Sequence, residues 1–64
     1  MNNLKEVKEF FNQEGTQFIS NEAANYQFVK RKDGSMFQFA DGEYKFYDTL
    51  DGLAKATLYR IKRG

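Results

Sequence analysis

Two Asp-Gly pairs, Asp33-Gly34 and Asp41-Gly42, divide the middle of the chain into three β-prone runs: Tyr26 to Lys32, Ser35 to Ala40 and Glu43 to Asp48. Asp-Gly between alternating residues favours a two-residue type I′ turn, because both central positions take a positive φ. The runs therefore read as a three-stranded antiparallel meander, and the turns set its register. Lys32 opposite Ser35 puts Lys30 across from Phe37 and Phe28 across from Phe39. Ala40 opposite Glu43 puts Phe39 across from Tyr44 and Phe37 across from Phe46.

In that register one face carries Tyr26, Phe28, Phe37, Phe39, Tyr44 and Phe46, with Lys30 at its margin. The other carries Gln27, Val29, Arg31, Met36, Gln38, Ala40, Glu43, Lys45 and Tyr47. A slip of one residue would move a strand's whole aromatic set to the opposite side. The expected core is Phe28, Phe37, Phe39, Phe46, Leu53 and Leu58.

Helical periodicity flanks the meander. Leu4, Val7, Phe10 and Phe11 recur at spacings of three and four and predict a helix from Asn3 or Leu4 to about Gln13. Asn3 is its N-cap, Glu6 its capping-box partner and Gly15 its stop. Leu50, Leu53, Ala54, Thr57, Leu58 and Ile61 predict a second helix, capped by Asp48 or Thr49. Asp51 lies in its first turn, and Arg60, Lys62 and Arg63 in its last, each where the helix dipole favours that sign. Thr16 to Ser20 is β-prone and reads as a short strand. The expected fold is a single small α+β domain over residues 1–64, of two layers and order α-(β)-β-β-β-α. A sheet of three strands, or four with Thr16–Ser20, packs on both helices.

Composition narrows the function classes. The chain has 64 residues, with neither Cys nor His. Disulfides, thiolate zinc sites, Cys-His and Ser-His pairs and the commonest general base are therefore absent. Ser20, Ser35 and Thr49 flank turns or caps, where local backbone bonding accounts for them. Asp33 and Asp41 read as turn residues, Asp48 and Asp51 as a helix start. The glycines stand singly, without a phosphate-cradling motif, and no calcium-loop pattern occurs. The expectation is a non-enzymatic chain with no cofactor, no metal and no small-molecule substrate.

Ten Lys plus Arg against nine Asp plus Glu leave a net charge of +1. A protein that grips a phosphate backbone usually carries a clear basic excess. The charges are unevenly placed. Two Lys against four Glu make Met1 to Glu22 acidic by two; eight Lys or Arg against five Asp or Glu make Ala23 to Gly64 basic by three. No run approaches the ~18 apolar residues of a membrane span. The opening Met1-Asn2-Asn3-Leu4-Lys5-Glu6 lacks the basic and apolar regions of a signal peptide, so cytoplasm is the expected compartment.

Two candidate contact surfaces follow. The first is the sheet face opposite the aromatics, where Arg31, Met36, Gln38, Lys45 and Tyr47 combine cations, a flexible thioether and an aromatic. The second is the basic finish, Arg60, Lys62 and Arg63, which with Lys30-Arg31-Lys32 could meet phosphate. The element order resembles the double-stranded-RNA-binding domain and the arm-binding domains of phage integrases. The first has a lysine-rich start to its last helix, where this chain has the acidic Thr49-Leu50-Asp51-Gly52; the second has far more basic strands. These readings converge on a small interaction protein, of accessory or inhibitor type and phage or mobile-element character, whose partner is most readily a protein. The alternative is a nucleic-acid-binding module that uses the open sheet face and the basic helix end.

Overall fold

A computed structural model describes residues 2–63. Its elements are α1 (Leu4–Phe11), β1 (Gln17–Asn21), β2 (Tyr26–Lys30), β3 (Met36–Ala40), β4 (Glu43–Tyr47) and α2 (Leu50–Arg63). The four strands form one antiparallel sheet in the order β1-β2-β3-β4. The fold is α+β, as the periodicities indicate. The additional strand is real, one residue displaced from Thr16–Ser20, so the order α-β-β-β-β-α departs from the three-stranded arrangement of the RNA-binding domain.

Local chemistry sets the helix ends. Asn3 Oδ1 accepts the Glu6 N–H at 2.9 Å, and Glu6 Oε1 in turn accepts from the Asn2 N–H at 3.3 Å. The returning bond of the capping box thus lands one residue before the cap. α1 stops at Phe11, two residues short of the expected Gln13, and Asn12 caps it. At α2 the cap is Thr49 rather than Asp48: its Oγ1 accepts the Gly52 N–H at 3.0 Å. Lys8 of α1 reaches Asp51 of α2 at 3.4 Å, and Lys55 reaches the same carboxylate at 2.9 Å.

The two Asp-Gly pairs make different turns. At Asp41-Gly42 both residues have positive φ, 54° and 80°, and Ala40 pairs with Glu43 as expected. At Asp33-Gly34 only the glycine does, at 93°. The Arg31 N–H donates to Ser35 O at 2.8 Å and the Gly34 N–H to Arg31 O at 2.9 Å, so the loop holds three residues, Lys32 to Gly34. Such a loop is a type I turn closed by a residue in the left-handed region. Asp33 Oδ1 selects it by accepting both the Ser35 N–H at 2.9 Å and the Ser35 hydroxyl at 2.6 Å. The side-chain bond to the residue two along competes with the type I′ conformation. After Asp41 that position holds Glu43, another carboxylate, which cannot donate such a hydroxyl bond.

This single extra loop residue shifts β2 against β3 by one. Lys30 pairs with Met36, Val29 with Phe37, Phe28 with Gln38 and Gln27 with Phe39. The expected pairs Lys30–Phe37 and Phe28–Phe39 do not form. One sheet face therefore carries Ile19, Tyr26, Phe28, Met36, Gln38, Ala40, Lys45 and Tyr47; the other carries Phe18, Val29, Phe37, Phe39, Tyr44 and Phe46.

Both helices lie on the first face. Val7 and Phe11 from α1, Leu53 and Ala54 from α2, and Tyr26, Phe28 and Ala40 from the sheet form the buried cluster. Burying each large apolar side chain contributes roughly 1.5–3 kcal/mol. Thr57 is fully buried, and its hydroxyl donates to Leu53 O at 2.7 Å within the helix. Of the expected core, Phe28 and Leu53 are buried and Leu58 packs against the cluster from a partly buried position. Phe37, Phe39 and Phe46 belong to the opposite face, because the register that would bring them under the helices does not form.

Candidate functional site

The sheet's uncovered face is built by alternation. In β3 and β4 every second residue is aromatic, and the Asp41-Gly42 turn holds the two rows opposite each other: Phe37 by Phe46, Phe39 by Tyr44. Ring centroids stand 6.0 Å apart in the first pair and 4.7 Å in the second. Along β4, Tyr44 and Phe46 are 6.5 Å apart and nearly parallel, at 17°. Phe18 on β1 adds a fifth ring to this face, with Val29 between it and Phe37. Val29 is buried beneath its larger neighbours, whereas Phe18, Tyr44 and Phe46 are 56%, 65% and 72% exposed.

None of the strand residues on this face is charged. Its cation comes from just beyond β2, where Arg31 lies over Phe37 with 5.5 Å between guanidinium carbon and ring centroid. A groove of about 410 Å³ runs between Arg31, Ser35, Phe37, Tyr44 and Phe46. Asp33, in the adjoining turn, is held below the usual carboxylate range, first by the Ser35 hydroxyl and backbone bonds and then by the Arg31 charge.

The structure separates the residues expected to form the sheet-face site. Arg31 is on the open face. Met36, Gln38, Lys45 and Tyr47 are on the helix side, because Asp33 and Ser35 set the longer loop. Met36 and Tyr47 pack against the core there. The Tyr47 hydroxyl bonds to Gln38 Oε1, and burial pushes its pKa up. Lys45 is exposed at the margin of that layer, its ammonium 5.3 Å from the Tyr47 ring centroid.

The basic finish divides as well. Arg60 is engaged inside the fold. Its Nη2 donates to Ala24 O at 3.2 Å, its guanidinium lies 5.1 Å from the Tyr26 ring centroid, and its Nη1 is 3.8 Å from Asp41 Oδ2. Lys62 and Arg63 are exposed. They border a shallow groove with Lys55, Leu58 and Tyr59, so the helix end presents cations around one exposed tyrosine.

Of the hydroxyls Ser20, Ser35 and Thr49, Ser35 bonds within its turn and Thr49 at its helix start. Among the described residues no group of three carboxylates gathers closely enough to hold a metal ion. No described helix is long and apolar enough to cross a membrane.

Of the residues expected in the core, Phe37, Phe39 and Phe46 lie on the uncovered face, Phe46 exposed and the other two half-buried, and Tyr44 stands exposed beside them. The signal that could have placed them was Ser35, which gives Asp33 a hydroxyl partner two residues along. The chain matches no protein-family model, no curated protein and no solved structure.

Proposed function

We propose that this chain is a small non-enzymatic interaction protein that binds another protein through the uncovered face of its sheet. The observation that carries this reading is the cluster of rings Phe37, Phe39, Tyr44 and Phe46, of which Tyr44 and Phe46 are largely exposed, with the exposed Phe18 on the same face across Val29. Large contiguous apolar patches on a folded surface mark interaction sites. The pattern also has the composition of an interface centre: aromatics and an arginine present, lysine and carboxylates absent. Tyr and Arg in such a setting are the usual hot spots, each supplying ~2 kcal/mol or more. An accessory or inhibitory role of phage or mobile-element type, in the cytoplasm, is the form proposed for it, in keeping with a sequence that carries no cofactor motif.

The test compares two double variants in partner capture, followed by titration of the purified partner. Tyr44→Ser with Phe46→Ser is expected to remain folded by circular dichroism and to bind at least about tenfold more weakly. Lys62→Ser with Arg63→Ser is expected to bind like the wild type. Loss of binding only in the second would move the site to the helix end, and retention in both would sink the sheet-face reading.

One observation favours a second reading. Four rings in two facing rows are a surface on which the bases of single-stranded nucleic acid stack. Against it stands the scarcity of cations: among the described residues Arg31 alone borders the rings, while a strand presents a phosphate at every nucleotide. Binding of a single-stranded oligonucleotide at low salt, falling steeply as salt rises, would favour this second reading.

A further inference from the structure

We propose that the groove beside Arg31 receives an apolar or aromatic side chain that has a carboxylate next to it, so that the partner's contact segment is both acidic and aromatic. This deepens the sheet-face reading and rests on it. The groove's volume, about 410 Å³, lies within the roughly 300–1,000 Å³ range of ligand pockets. The groove is lined by the aromatic residues Phe37, Tyr44 and Phe46 together with Arg31 and Ser35.

Among the described residues Arg31 enters no ion pair, although its charge is felt by Asp33 in the adjoining turn. The ion pairs of the fold are Lys8–Asp51, Lys55–Asp51 and Arg60–Asp41. Asp33, two residues from Arg31, turns its Oδ1 to the Ser35 N–H and hydroxyl and makes no ion pair with the guanidinium. The Ser35 hydroxyl is committed to the same bond, so Arg31 is the free donor at the groove. A guanidinium over a ring face can still donate through its edge, and a carboxylate is the acceptor that its fork fits.

Complementarity to this groove therefore requires an apolar body for the rings and one negative charge for Arg31. A protein segment supplies both from neighbouring residues. A nucleic-acid strand supplies the ring as well, but carries a charge at every nucleotide, for which the face has one arginine.

The full chain, labelled for amide nuclear magnetic resonance, tests this with small probes. Hydrocinnamate carries a phenyl ring and a carboxylate; hydrocinnamide has the same body without the charge. Hydrocinnamate is expected to shift the amides of Arg31, Phe37 and Phe46, and to bind about three- to tenfold tighter than the amide. Arg31→Gln is expected to make the two probes equivalent while leaving their contact with the rings. Equal affinity of acid and amide for the wild type would overturn the acidic specificity. The open-face reading itself would still stand or fall on the Tyr44 and Phe46 variants. Absence of any shift at these residues overturns the groove as a site. Displacement of hydrocinnamate by a short oligothymidylate, with steep salt dependence, would overturn the protein assignment in favour of nucleic acid.

Discussion

The guanidinium of Arg60 lies over the ring of Tyr26, 5.1 Å from its centroid, and the same side chain donates to Ala24 O at 3.2 Å and faces Asp41 at 3.8 Å. It thereby joins the last helix to the β1–β2 loop and to the β3–β4 turn, which lie at one end of the sheet. A residue that looks like a solvated cation at the end of a helix is a clamp between distant parts of the chain.

Arg60→Ala is expected to destabilise the fold by about 1–2 kcal/mol, from a partly shielded cation–π contact and one hydrogen bond. In a chain of this size about 1 kcal/mol lowers the melting temperature by roughly 4–8 °C. Arg60→Lys is not expected to restore it, since an ammonium cannot satisfy the carbonyl and the ring through one planar group. Full recovery with lysine would show that charge alone matters there.

The phenylalanines should divide by sheet face. Phe28→Ala removes a fully buried ring and is expected to cost about 3–5 kcal/mol, enough to unfold much of so small a domain. Phe46→Ala, on the exposed side, should stay within about 0.5–1 kcal/mol. Urea unfolding of the two variants decides the register. If Phe46→Ala proves the costlier, Phe46 faces the core and the sheet pairing described above is wrong.

Two carboxylates make stability depend on pH in acid. Asp51 is held below its ordinary range, first by the bond from Lys55 and then by Lys8; Asp33 is held there first by the Ser35 hydroxyl. Each binds its proton more weakly folded than unfolded, so the unfolded chain takes up more protons as pH falls. Their contribution is fully present above the unfolded carboxylate value of about 3.9 and is lost as pH drops through the lower folded values. The urea midpoint should therefore decline in that window. Asp33→Asn and Asp51→Asn should each flatten the decline, and an unchanged pH profile in both variants would remove these groups as its cause.

Most of the architecture follows from local signals. Asn3 with Glu6, the stripe of Leu4, Val7 and Phe11, and the period of Leu50, Leu53, Ala54 and Thr57 suffice to define both helices and their buried sides. The β3–β4 pairing is equally legible, because Asp41-Gly42 adopts the turn that its composition favours. The site was not legible, and the cause is local. Asp33-Gly34 has the same composition, but the Ser35 hydroxyl gives Asp33 a competing local bond. One loop residue then reverses the faces of β3 and β4 relative to β2. Arg31 keeps the open face and the rings of β3 and β4 join it there, while Lys45 and Tyr47 move to the helix side. The fate of Arg60 was hidden for another reason: its partners Ala24, Tyr26 and Asp41 are remote in sequence.

β4 is the last strand of the sheet, and its outer edge has no neighbouring strand. Within its five residues, three are aromatic and Lys45 stands at the centre. Such an edge invites identical strands to stack, and in-register stacking would repeat every side chain at about 4.8 Å. Lys45 would then face its own copies along the whole column, and like charges at that spacing repel. Lys45, with Glu43 beside it in the strand, would thereby oppose fibre growth from an edge that carries Tyr44, Phe46 and Tyr47. Lys45→Thr should lower the concentration at which the chain forms thioflavin-positive aggregates, with little change in the stability of the monomer.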